Sequence, residues 1–237
     1  MTPHTLITGG AGFIGSHLAE RLLAEGSSVT VIDDLSTGSL GNLVQARQHP
    51  GFRFVQAKLS ECSNLTTLVS QADQVFHLAA AVGVELGVRE PVRVLETNLH
   101  ETEVLLEAAA ASKTPLLLAS TSEVYGKSAK DEFGEEDDLL IGPPTHSRWS
   151  YACSKLMDEF LALAFAKERA LPVIIARLFN TVGPRQTGRY GMVLPRFIAA
   201  ARKNEPLRVY GDGEQTRCFC FVHDTVEALL RLAQVPT

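Results

Sequence analysis

The stretch Thr8-Gly9-Gly10-Ala11-Gly12-Phe13-Ile14-Gly15-Ser16-His17-Leu18 stands between a short apolar run and a segment with helical periodicity. Its glycines satisfy both the G-x-G-x-x-G and the G-x-x-G-x-x-G spacing. Glycine allows a tight turn between a strand and a helix, and it lets backbone N–H groups approach a pyrophosphate at the helix N-terminus. By itself the motif is weak, and it gains weight only from the residues around it.

An acidic residue after the second apolar run completes this pattern. Asp33 stands at the end of the run 29–33, about 20 residues beyond the glycines. Its carboxylate can accept hydrogen bonds from an adenosine ribose and would repel a 2'-phosphate, and the next residue is Asp34 rather than Arg. The sequence therefore predicts a dinucleotide site that takes NAD rather than NADP.

The chain around the motif alternates short β-branched runs with longer segments that carry apolar residues at i, i+3 and i+4. The runs are 5–8, 29–33, 52–57, 74–78, 116–119 and 173–178, and the clearest helical segments are 16–25, 91–112 and 150–170. Such alternation predicts an α/β protein with a doubly wound parallel sheet, the NAD-binding Rossmann fold.

After Asn180 the pattern changes to loops rich in Gly, Pro and Arg, around helices near 193–203 and 224–232. We expect an NAD-binding Rossmann domain over residues 1–180 and a small second lobe over residues 181–237. A lobe of this length is small for a separate substrate-binding unit, and we expect it to be incomplete.

The composition is that of a soluble globular protein. The chain has 237 residues, 45% of them hydrophobic, with a formal net charge of -5. The mild acidity argues against sequence-independent binding of nucleic acid, which requires a basic stripe. No apolar run approaches the roughly 20 residues that span a bilayer, and the first residues lack the basic head and apolar stretch of a signal peptide. We therefore expect a cytoplasmic protein without membrane contact.

The four cysteines indicate neither a metal site nor a disulfide. Cys62, Cys153, Cys218 and Cys220 form no C-x-x-C pair and have no histidine cluster nearby. We expect free, buried thiols and no metal.

A second motif is Tyr151-Ala152-Cys153-Ser154-Lys155 at the start of a helical segment. The four-residue spacing places the phenol and the ammonium on one helix face. A neighbouring cation stabilises the phenolate and lowers the tyrosine pKa. Taken alone, a surface pair is the commoner explanation. Together with the dinucleotide motif, the sequence favours a pair that transfers protons.

The fifth apolar run ends in Ser120-Thr121-Ser122-Glu123-Val124-Tyr125-Gly126. Ligands of open α/β sheets lie beyond the carboxyl ends of the strands, so Thr121 could hydrogen-bond a substrate hydroxyl. The alternative role for Thr121 is capping of a turn. Glu123 needs a partner or a task, because a carboxylate inside a cleft is costly to leave unpaired.

Together these residues resemble a known family. The resemblance rests on Gly9 to Gly15, His77-Leu78-Ala79-Ala80, Asn98, Thr121 to Gly126, Tyr151 to Lys155, and Arg177-Leu178-Phe179-Asn180 with Gly183-Pro184-Arg185. They look like the extended short-chain dehydrogenases/reductases, in particular the NAD-dependent epimerase/dehydratase group that acts on nucleotide sugars. The resemblance covers the chain from end to end.

The resemblance implies that bound NAD oxidises a sugar at C4 and, in many members, is regenerated. Tyr151 would take the C4 hydroxyl proton, Lys155 would hold the nicotinamide ribose, and Thr121 would orient the C4 oxygen. The implied catalytic set is Thr121, Ser122, Glu123, Tyr151 and Lys155. The implied cofactor contacts are Gly9, Gly12, Phe13, Ile14, Gly15, Asp33, Asp34, Ser36, Thr37, Gly38, Lys58, Leu59, Leu78, Ala79, Ala80, Asn98, Tyr151, Lys155 and Leu178. The implied contacts to the nucleotide-sugar substrate, which is expected to be UDP-linked, are Val82, Asn180, Val193, Tyr210 and Arg217.

One departure from the family concerns the adenine. The family usually has Gly-Asp-hydrophobic after the third strand, whereas this chain has Ala57-Lys58-Leu59. The adenine contact at this position is therefore in doubt.

Residues 121–123 bear on the reaction that follows oxidation. Thr121-Ser122-Glu123 resembles UDP-glucuronate decarboxylases, and Arg148-Trp149-Ser150-Tyr151 resembles bacterial decarboxylase domains. Ser122 lacks the proton donor with which a 4,6-dehydratase expels a C6 hydroxyl. We favour decarboxylation of UDP-glucuronate over 4-epimerisation of a UDP-sugar. We favour 4,6-dehydration and a non-catalytic NAD-binding role less than either of these two reactions.

The resemblance also implies a homodimer. The helix over 91–112 and the helix that carries Tyr151 would form a four-helix interface between two copies. We expect their outer faces to hold Leu105, Leu156, Phe160 and Leu163.

Overall fold

The predicted parallel sheet forms the centre of the molecule and is confirmed. The computed structural model describes residues 2–81, 89–188 and 192–236. Its main sheet has six strands in the order β3-β2-β1-β4-β5-β6, and each neighbouring pair is parallel. The strands are β1 (His4–Thr8), β2 (Ser28–Ile32), β3 (Phe52–Val55), β4 (Gln74–His77), β5 (Leu116–Thr121) and β6 (Val173–Leu178).

Helices connect these strands and cover both faces of the sheet. They are α1 (Phe13–Ala24), α2 (Leu65–Ser70), α3 (Pro91–Ser112) and α4 (Ser150–Arg169). The C-terminal part adds β7 (Asn180–Val182), α5 (Val193–Arg202), β8 (Phe219–Phe221) and α6 (Val222–Leu232).

Successive residues of each strand point into different halves of the core. Leu6 and Leu116 belong to a buried cluster with residues of α2, α3 and α4. Ile7 and Leu117 belong to a second cluster with residues of α1 and α6. This period of two, with apolar residues on both faces, is what a doubly wound sheet requires.

The strand order reverses between β1 and β4. The chain runs outward from β1 to β3 on one side and from β4 to β6 on the other. A crevice therefore opens beyond the carboxyl ends of β1 and β4, which is where open α/β sheets bind ligands. The sequence places the glycine-rich turn and residues 78–81 at this crevice.

Gly9 makes the closest backbone approach at the crevice. It has φ +71, and a Cβ atom built on it would lie 2.6 Å from the backbone nitrogen of Ala79. No side chain fits there, since real Cβ atoms essentially never come within 3.0 Å of another heavy atom. Glycine at position 9 is thus needed both for the turn and for the contact between β1 and the segment after β4.

The C-terminal part packs on α1. Val226 and Leu229 of α6 lie in the same buried cluster as Leu18. Arg185 donates two hydrogen bonds to the Glu20 carboxylate, at 2.8 and 2.9 Å. β7 and β8 form a two-stranded parallel sheet, which the sequence did not predict. The division of the chain at residue 180 stays a prediction.

Some local expectations were wrong. β5 continues two residues beyond the predicted run, because Ser120 and Thr121 stay in register with Arg177 and Leu178 of β6. Leu105 is fully buried in the core rather than on the outer face of α3. The thiols are free, but those of Cys153 and Cys218 are exposed rather than buried. Within the described ranges, no helix combines the length and apolar character needed to cross a membrane.

We predict that Gly9→Ala destabilises the fold by more than the roughly 1 to 2 kcal/mol that positive φ alone costs. Gly26→Ala is the matched control, since Gly26 has φ +88 but nothing within 4 Å of its Cβ position. Chemical denaturation of the two variants gives the comparison. Equal losses of unfolding free energy would contradict the role of the Gly9–Ala79 contact.

Candidate active site

The N-terminus of α1 is open toward the crevice. Gly12 is its N-cap residue and supplies no side-chain hydrogen bond to the first turn. A Cβ on Gly12 would meet only the Gly9 carbonyl oxygen, at 3.1 Å, whereas one on Gly15 would lie 2.5 Å from that oxygen. Gly15 is thus needed for close packing of the helix on the turn. The first N–H groups of α1, which include Phe13 and Ile14, lack intrahelical acceptors and suit an anionic pyrophosphate.

Asp33 lies directly after β2 and against the glycine-rich turn. Its Oδ2 accepts a hydrogen bond from the Ala11 N–H at 2.9 Å, and its Oδ1 accepts one from the Leu35 N–H at 2.8 Å. Burial raises the pKa of Asp33, against the lowering effect of these two hydrogen bonds. The carboxylate is therefore held in place at the end of β2, where the ribose of a dinucleotide would lie.

The loop after Asp33 returns to the same turn. Asp34 accepts a hydrogen bond from the Ser36 N–H at 2.9 Å, and the Ser39 N–H donates to the Ala11 carbonyl at 3.0 Å. A Cβ on Gly38 would lie 2.9 Å from Asp33 Oδ1. The loop that contains Asp34, Ser36, Thr37 and Gly38 thus runs past the glycine-rich turn, and Gly38 lies against the Asp33 carboxylate.

The segment after β3 contributes Lys58 and Leu59. Lys58 pairs with Glu61 at 3.1 Å on the surface, and Asp34 also favours its charged form. Leu59 is 4% exposed and packs in the core, so only its backbone is available to a ligand. The Lys58 ammonium therefore lies near the loop that contains Asp34. Lys58 occupies the position at which the family usually has an aspartate after the third strand.

Backbone of the segment after β4 lines the other side of the crevice. Ala79 and Leu78 lie against Gly9, and Ala80 follows them. Asn98 of α3 accepts a hydrogen bond from the Ala81 N–H at 2.7 Å and donates one to Ser154 at 3.0 Å. The buried Asn98 amide thus connects the segment after β4 to α4 by hydrogen bonds and holds the two in position.

The end of β5 meets the start of α4 at Thr121 and Tyr151. The Thr121 hydroxyl caps the 3-10 turn Ser122–Tyr125, accepting a hydrogen bond from the Glu123 N–H at 3.3 Å. It also hydrogen-bonds the Tyr151 phenol. Thr121 therefore performs the capping role and at the same time faces the candidate proton acceptor, so the two alternatives are compatible.

Glu123 lies beside the Tyr151 phenol. Burial raises the pKa of Glu123, and the Arg148 guanidinium acts in the opposite direction. The Glu123 charge is in turn one of the causes that raise the pKa of Tyr151. Ser122 stands in the same turn, next to both groups in sequence. A carboxyl group with a raised pKa next to a phenol can hold or deliver a proton.

Lys155 was expected to lower the pKa of Tyr151, and this effect stays a prediction. Burial is the main cause that raises the pKa of Tyr151, followed by the charges of Glu123 and Asp158. The Lys155 ammonium donates instead to Asp158 Oδ2 at 2.8 Å, and both side chains are buried. Tyr151 and Lys155 do share a face of α4, but Asp158 balances the positive charge.

Four of the five predicted substrate residues belong to the C-terminal part of the chain. Asn180 of β7 donates to the Cys218 carbonyl at 3.1 Å, next to Arg217. Val193 begins α5 and Tyr210 lies in a loop, both exposed. The hydrogen bonds described for these residues do not reach Thr121 or Tyr151. Leu178 ends β6, beside Thr121. Val82 lies outside the described residues.

Sequence reasoning assigned no role to three residues of this region, although His77 belongs to a motif that carries the family resemblance. Asp158 follows Lys155 by three residues on the same helix face, and that spacing was a usable signal. His77 and Thr102 form a buried hydrogen-bonded pair behind Lys155, with 3.0 Å between His77 Nε2 and Thr102 Oγ1. Their partnership depends on tertiary structure and has no signal in the local sequence.

The residues present fit NAD as a ligand. The glycine-rich turn leaves room for a pyrophosphate, and the buried carboxylate of Asp33 after β2 suits an adenosine ribose. Thr121 and Tyr151 meet at the end of β5, on the same edge of the sheet.

Comparison with known protein families shows to which family this chain belongs. The profile described as the NAD dependent epimerase/dehydratase family matches residues 5–237. The chain is 44% identical over 235 residues to a UDP-N-acetyl-alpha-D-glucosaminuronate decarboxylase of Bacillus cytotoxicus, covering 97% of this chain and 71% of that protein. It spans about half the length of UDP-glucuronic acid decarboxylases of Arabidopsis thaliana, at 36% identity and 50% of their length.

Solved structures give the same architecture. A UDP-N-acetylglucosamine 4-epimerase of Methanobrevibacter ruminantium aligns with a TM-score of 0.91 and 32% identity, covering 100% of this chain and 75% of that one. A UDP-glucuronic acid 4-epimerase of Bacillus cereus, solved with UDP-glucuronic acid and NAD, aligns with a TM-score of 0.88 and 30% identity, covering 99% and 74%.

We predict that the purified chain binds NAD in preference to NADP, and that Asp33→Ala weakens NAD binding. The ribose would lose a charged acceptor worth about 1.5 to 3 kcal/mol, which is roughly a 10- to 100-fold rise in Kd. Calorimetric titration measures both cofactors. The exposed Asp138→Ala is the control, and recovery of mainly NADP from the purified protein would refute the role given to Asp33.

Proposed function

The chain belongs to the NAD-dependent epimerase/dehydratase family, and on that premise we propose that it decarboxylates a UDP-linked hexuronate after oxidising it at C4. The observation that carries this proposal is the position of the Glu123 carboxyl beside Tyr151, in the turn that follows β5. The similarity to decarboxylases over 97% of the chain supports it.

The first step is oxidation of the C4 hydroxyl group, which removes a hydride from C4 and a proton from its oxygen. NAD bound at this site would supply the hydride acceptor, and the positive charge of its nicotinamide would favour the Tyr151 phenolate. Tyr151 accepts the proton of the C4 hydroxyl, while the Thr121 hydroxyl orients the C4 oxygen from the end of β5. The product of this step is a 4-keto uronate.

Loss of CO₂ needs few further groups. The C5–C6 bond breaks, and its electron pair moves toward the C4 carbonyl oxygen, where the Tyr151 phenol can return a proton. The resulting enol is protonated at C5. Glu123 is suited to deliver this proton, because burial raises the pKa of its carboxyl and thereby favours the protonated form. Return of a hydride to C4 and of the Tyr151 proton to the C4 oxygen would complete the pentose and regenerate NAD.

A second candidate, 4-epimerisation, is favoured by the structural neighbours. Both of the aligned structures described above are 4-epimerases, and one holds UDP-glucuronic acid. An epimerase would use the same Thr121 and Tyr151, but the sugar would rotate between two hydride transfers and keep its carboxylate. Such a reaction gives Glu123 no proton to deliver.

The two functions predict different products. The chain is incubated with NAD and, separately, with UDP-glucuronate, UDP-N-acetylglucosaminuronate, UDP-glucose and UDP-galactose, and the products are identified by NMR. A decarboxylase releases CO₂ from the acids and leaves the neutral sugars without a pentose product. Inversion at C4 without CO₂ would establish the epimerase instead.

We predict that Glu123→Gln lowers CO₂ release by roughly 10²- to 10⁴-fold, the range assigned to general acid–base catalysis. NAD binding should be unchanged, because Glu123 belongs to the turn after β5 and not to the glycine-rich turn or the Asp33 loop. Tyr151→Phe is the reference for the shared first step, and it should abolish NADH formation and every product together. Glu136→Gln, an exposed change on the following loop, controls for the lost charge. A normal rate of CO₂ release in Glu123→Gln would remove the role given to this residue.

We also propose a homodimer in which α4 meets its copy. Phe160 and Leu163 are 62% and 56% exposed on α4, with Met157 at 53% beside them. Val92 of α3 is 64% exposed as well. Large apolar side chains that cluster on two packed helices are typical of an interface between subunits. A cytoplasmic location remains a prediction from the sequence.

We predict that the chain sediments as a dimer at micromolar concentration, and that Phe160→Glu makes it a monomer. The new carboxylate would have to be buried against an apolar partner surface. Analytical ultracentrifugation gives the result, with Phe219→Glu, an exposed change on β8, as the control. A monomeric wild-type chain would reject the interface.

A further inference from the structure

The first turn of α1 is held from the C-terminal part of the chain. Ser16 lies in this turn and is fully buried, and its hydroxyl accepts a hydrogen bond from Arg185 Nη1 at 3.1 Å. The same hydroxyl donates to the Phe13 carbonyl at 3.1 Å. Hydrogen bonds therefore lead from Arg185 through Ser16 to Phe13, the residue at which the helix begins.

The Arg185 guanidinium is fixed to α1 by a second group as well. Its Nη2 lies 2.8 and 2.9 Å from the two carboxylate oxygens of Glu20, one turn further along the helix. The two side chains are only 23% and 26% exposed. A planar guanidinium that is shared between a carboxylate and a hydroxyl is held in one orientation. This contact is therefore more ordered than the exposed ion pairs of the surface.

The backbone at Arg185 supports a role for its side chain. Arg185 has φ +70, in the left-handed region that residues other than glycine, asparagine and aspartate rarely adopt. Such a conformation persists where the surrounding contacts offset its cost. The hydrogen bonds of the guanidinium to Ser16 and Glu20 are contacts of this kind.

The loop that carries Arg185 is tied both to α1 and to β7. The Pro184 carbonyl lies 3.1 Å from His17 Nε2, and because a carbonyl can only accept, the ring nitrogen donates. On the other side of Arg185, Gln186 Nε2 donates to the Thr181 carbonyl of β7 at 2.9 Å. Arg185 thus reaches Ser16 from a loop that is fixed on both sides.

These contacts meet α1 at the end that faces the crevice. The N–H groups of Phe13 and Ile14 lack intrahelical acceptors, whereas the Ser16 N–H is bonded to the Gly12 carbonyl at 3.2 Å. A pyrophosphate at this end needs the free N–H groups to converge on it. Their direction depends on how the first turn is held, and the buried Ser16 hydroxyl is part of what holds it.

We propose that Arg185 is a positioning residue for the dinucleotide, which fixes the first turn of α1 through Ser16 and thereby the N–H groups that bind the pyrophosphate. Dinucleotide affinity then depends on a residue 169 positions after Ser16, in the C-terminal part of the chain. The proposal rests on NAD as the cofactor of the family and on no step of the proposed reaction.

The test uses the whole chain after removal of bound nucleotide, with ADP as a probe that contains the pyrophosphate and adenosine as one that lacks it. Arg185→Lys keeps the positive charge but cannot reproduce the planar fork toward Glu20 and Ser16. The Kd of ADP should rise by roughly 2- to 30-fold, the range for residues that act on a site without contacting its ligand. The Kd of adenosine should not change.

Calorimetric titration gives the Kd of ADP, and chemical-shift titration by NMR gives that of adenosine. A wild-type Kd of ADP in Arg185→Lys would show that a positive charge alone suffices, and would overturn the proposal. An equal loss of affinity for adenosine would place the effect away from the pyrophosphate, with the same consequence.

Arg21→Lys is the matched control. Arg21 also lies on α1 and also joins it to the C-terminal part, with its Nη2 2.9 Å from Glu227 of α6, but it lies beyond the first turn. The Kd of ADP should be that of the wild-type chain. If Arg21→Lys weakens ADP binding as much as Arg185→Lys does, the contacts to α1 act through the stability of the whole fold, and the proposal fails.

Ser16→Ala tests the connection without changing Arg185 or its ion pair. Alanine is favourable in a helix, so this variant gives a result even if Arg185→Lys does not fold. The Kd of ADP should rise, and Arg185→Lys should add little in this background, because both changes break the same connection. A wild-type Kd in Ser16→Ala, or two effects that multiply in full, would contradict the route through Ser16 and overturn the proposal. No sugar or turnover enters these measurements, so a failure of the decarboxylase proposal leaves their outcome unaffected.

Discussion

The site depends on one close contact between backbones, that of Gly9 with the segment that follows β4. A positive φ at Gly9 turns the chain from β1 into α1, and the missing side chain lets Ala79 lie against the turn. The same contact keeps Thr8 and His77 in register at the ends of β1 and β4. One position that tolerates no Cβ atom therefore places three features of the site. They are the glycine-rich turn, the N-terminus of α1 and the buried polar pair of His77 and Thr102 behind Lys155.

The residues that could be predicted from the sequence are those whose role follows from local spacing. Gly12 and Gly15, Asp33 after β2, and the Tyr151–Lys155 face of α4 each need only a strand or helix to be placed correctly. Leu105 could not be placed in this way, because helical periodicity shows that a residue belongs to an apolar face and not which neighbour covers that face. The pairing of β7 with β8 joins segments far apart in the chain and gives no local signal.

The electrostatics of the site were hardest to foresee. A cation near a phenol lowers the pKa of that phenol, and an anion paired with the cation offsets the effect. Inside this fold Lys155 is paired with Asp158. From the sequence, Glu159 is likewise expected on the surface of a helix. In the structure it is buried and paired with Arg177 of β6. α4 carries three buried charged residues in one stretch, and partners from α4 itself and from β6 make them tolerable. This helix is consequently fixed to the sheet by charge as well as by packing.

Trp149 immediately precedes α4 and is the only tryptophan of the chain. Its ring is buried, with the Arg148 guanidinium 4.5 Å from the ring centroid and Lys127 on it at 5.7 Å. The intrinsic indole fluorescence of this protein therefore originates from a single point, two residues from Tyr151. Two cations beside the ring make its emission sensitive to any change of charge nearby, and reduced nicotinamide absorbs where tryptophan emits. The fold thus contains an optical reporter of its own candidate active site, and no label has to be introduced to observe events there.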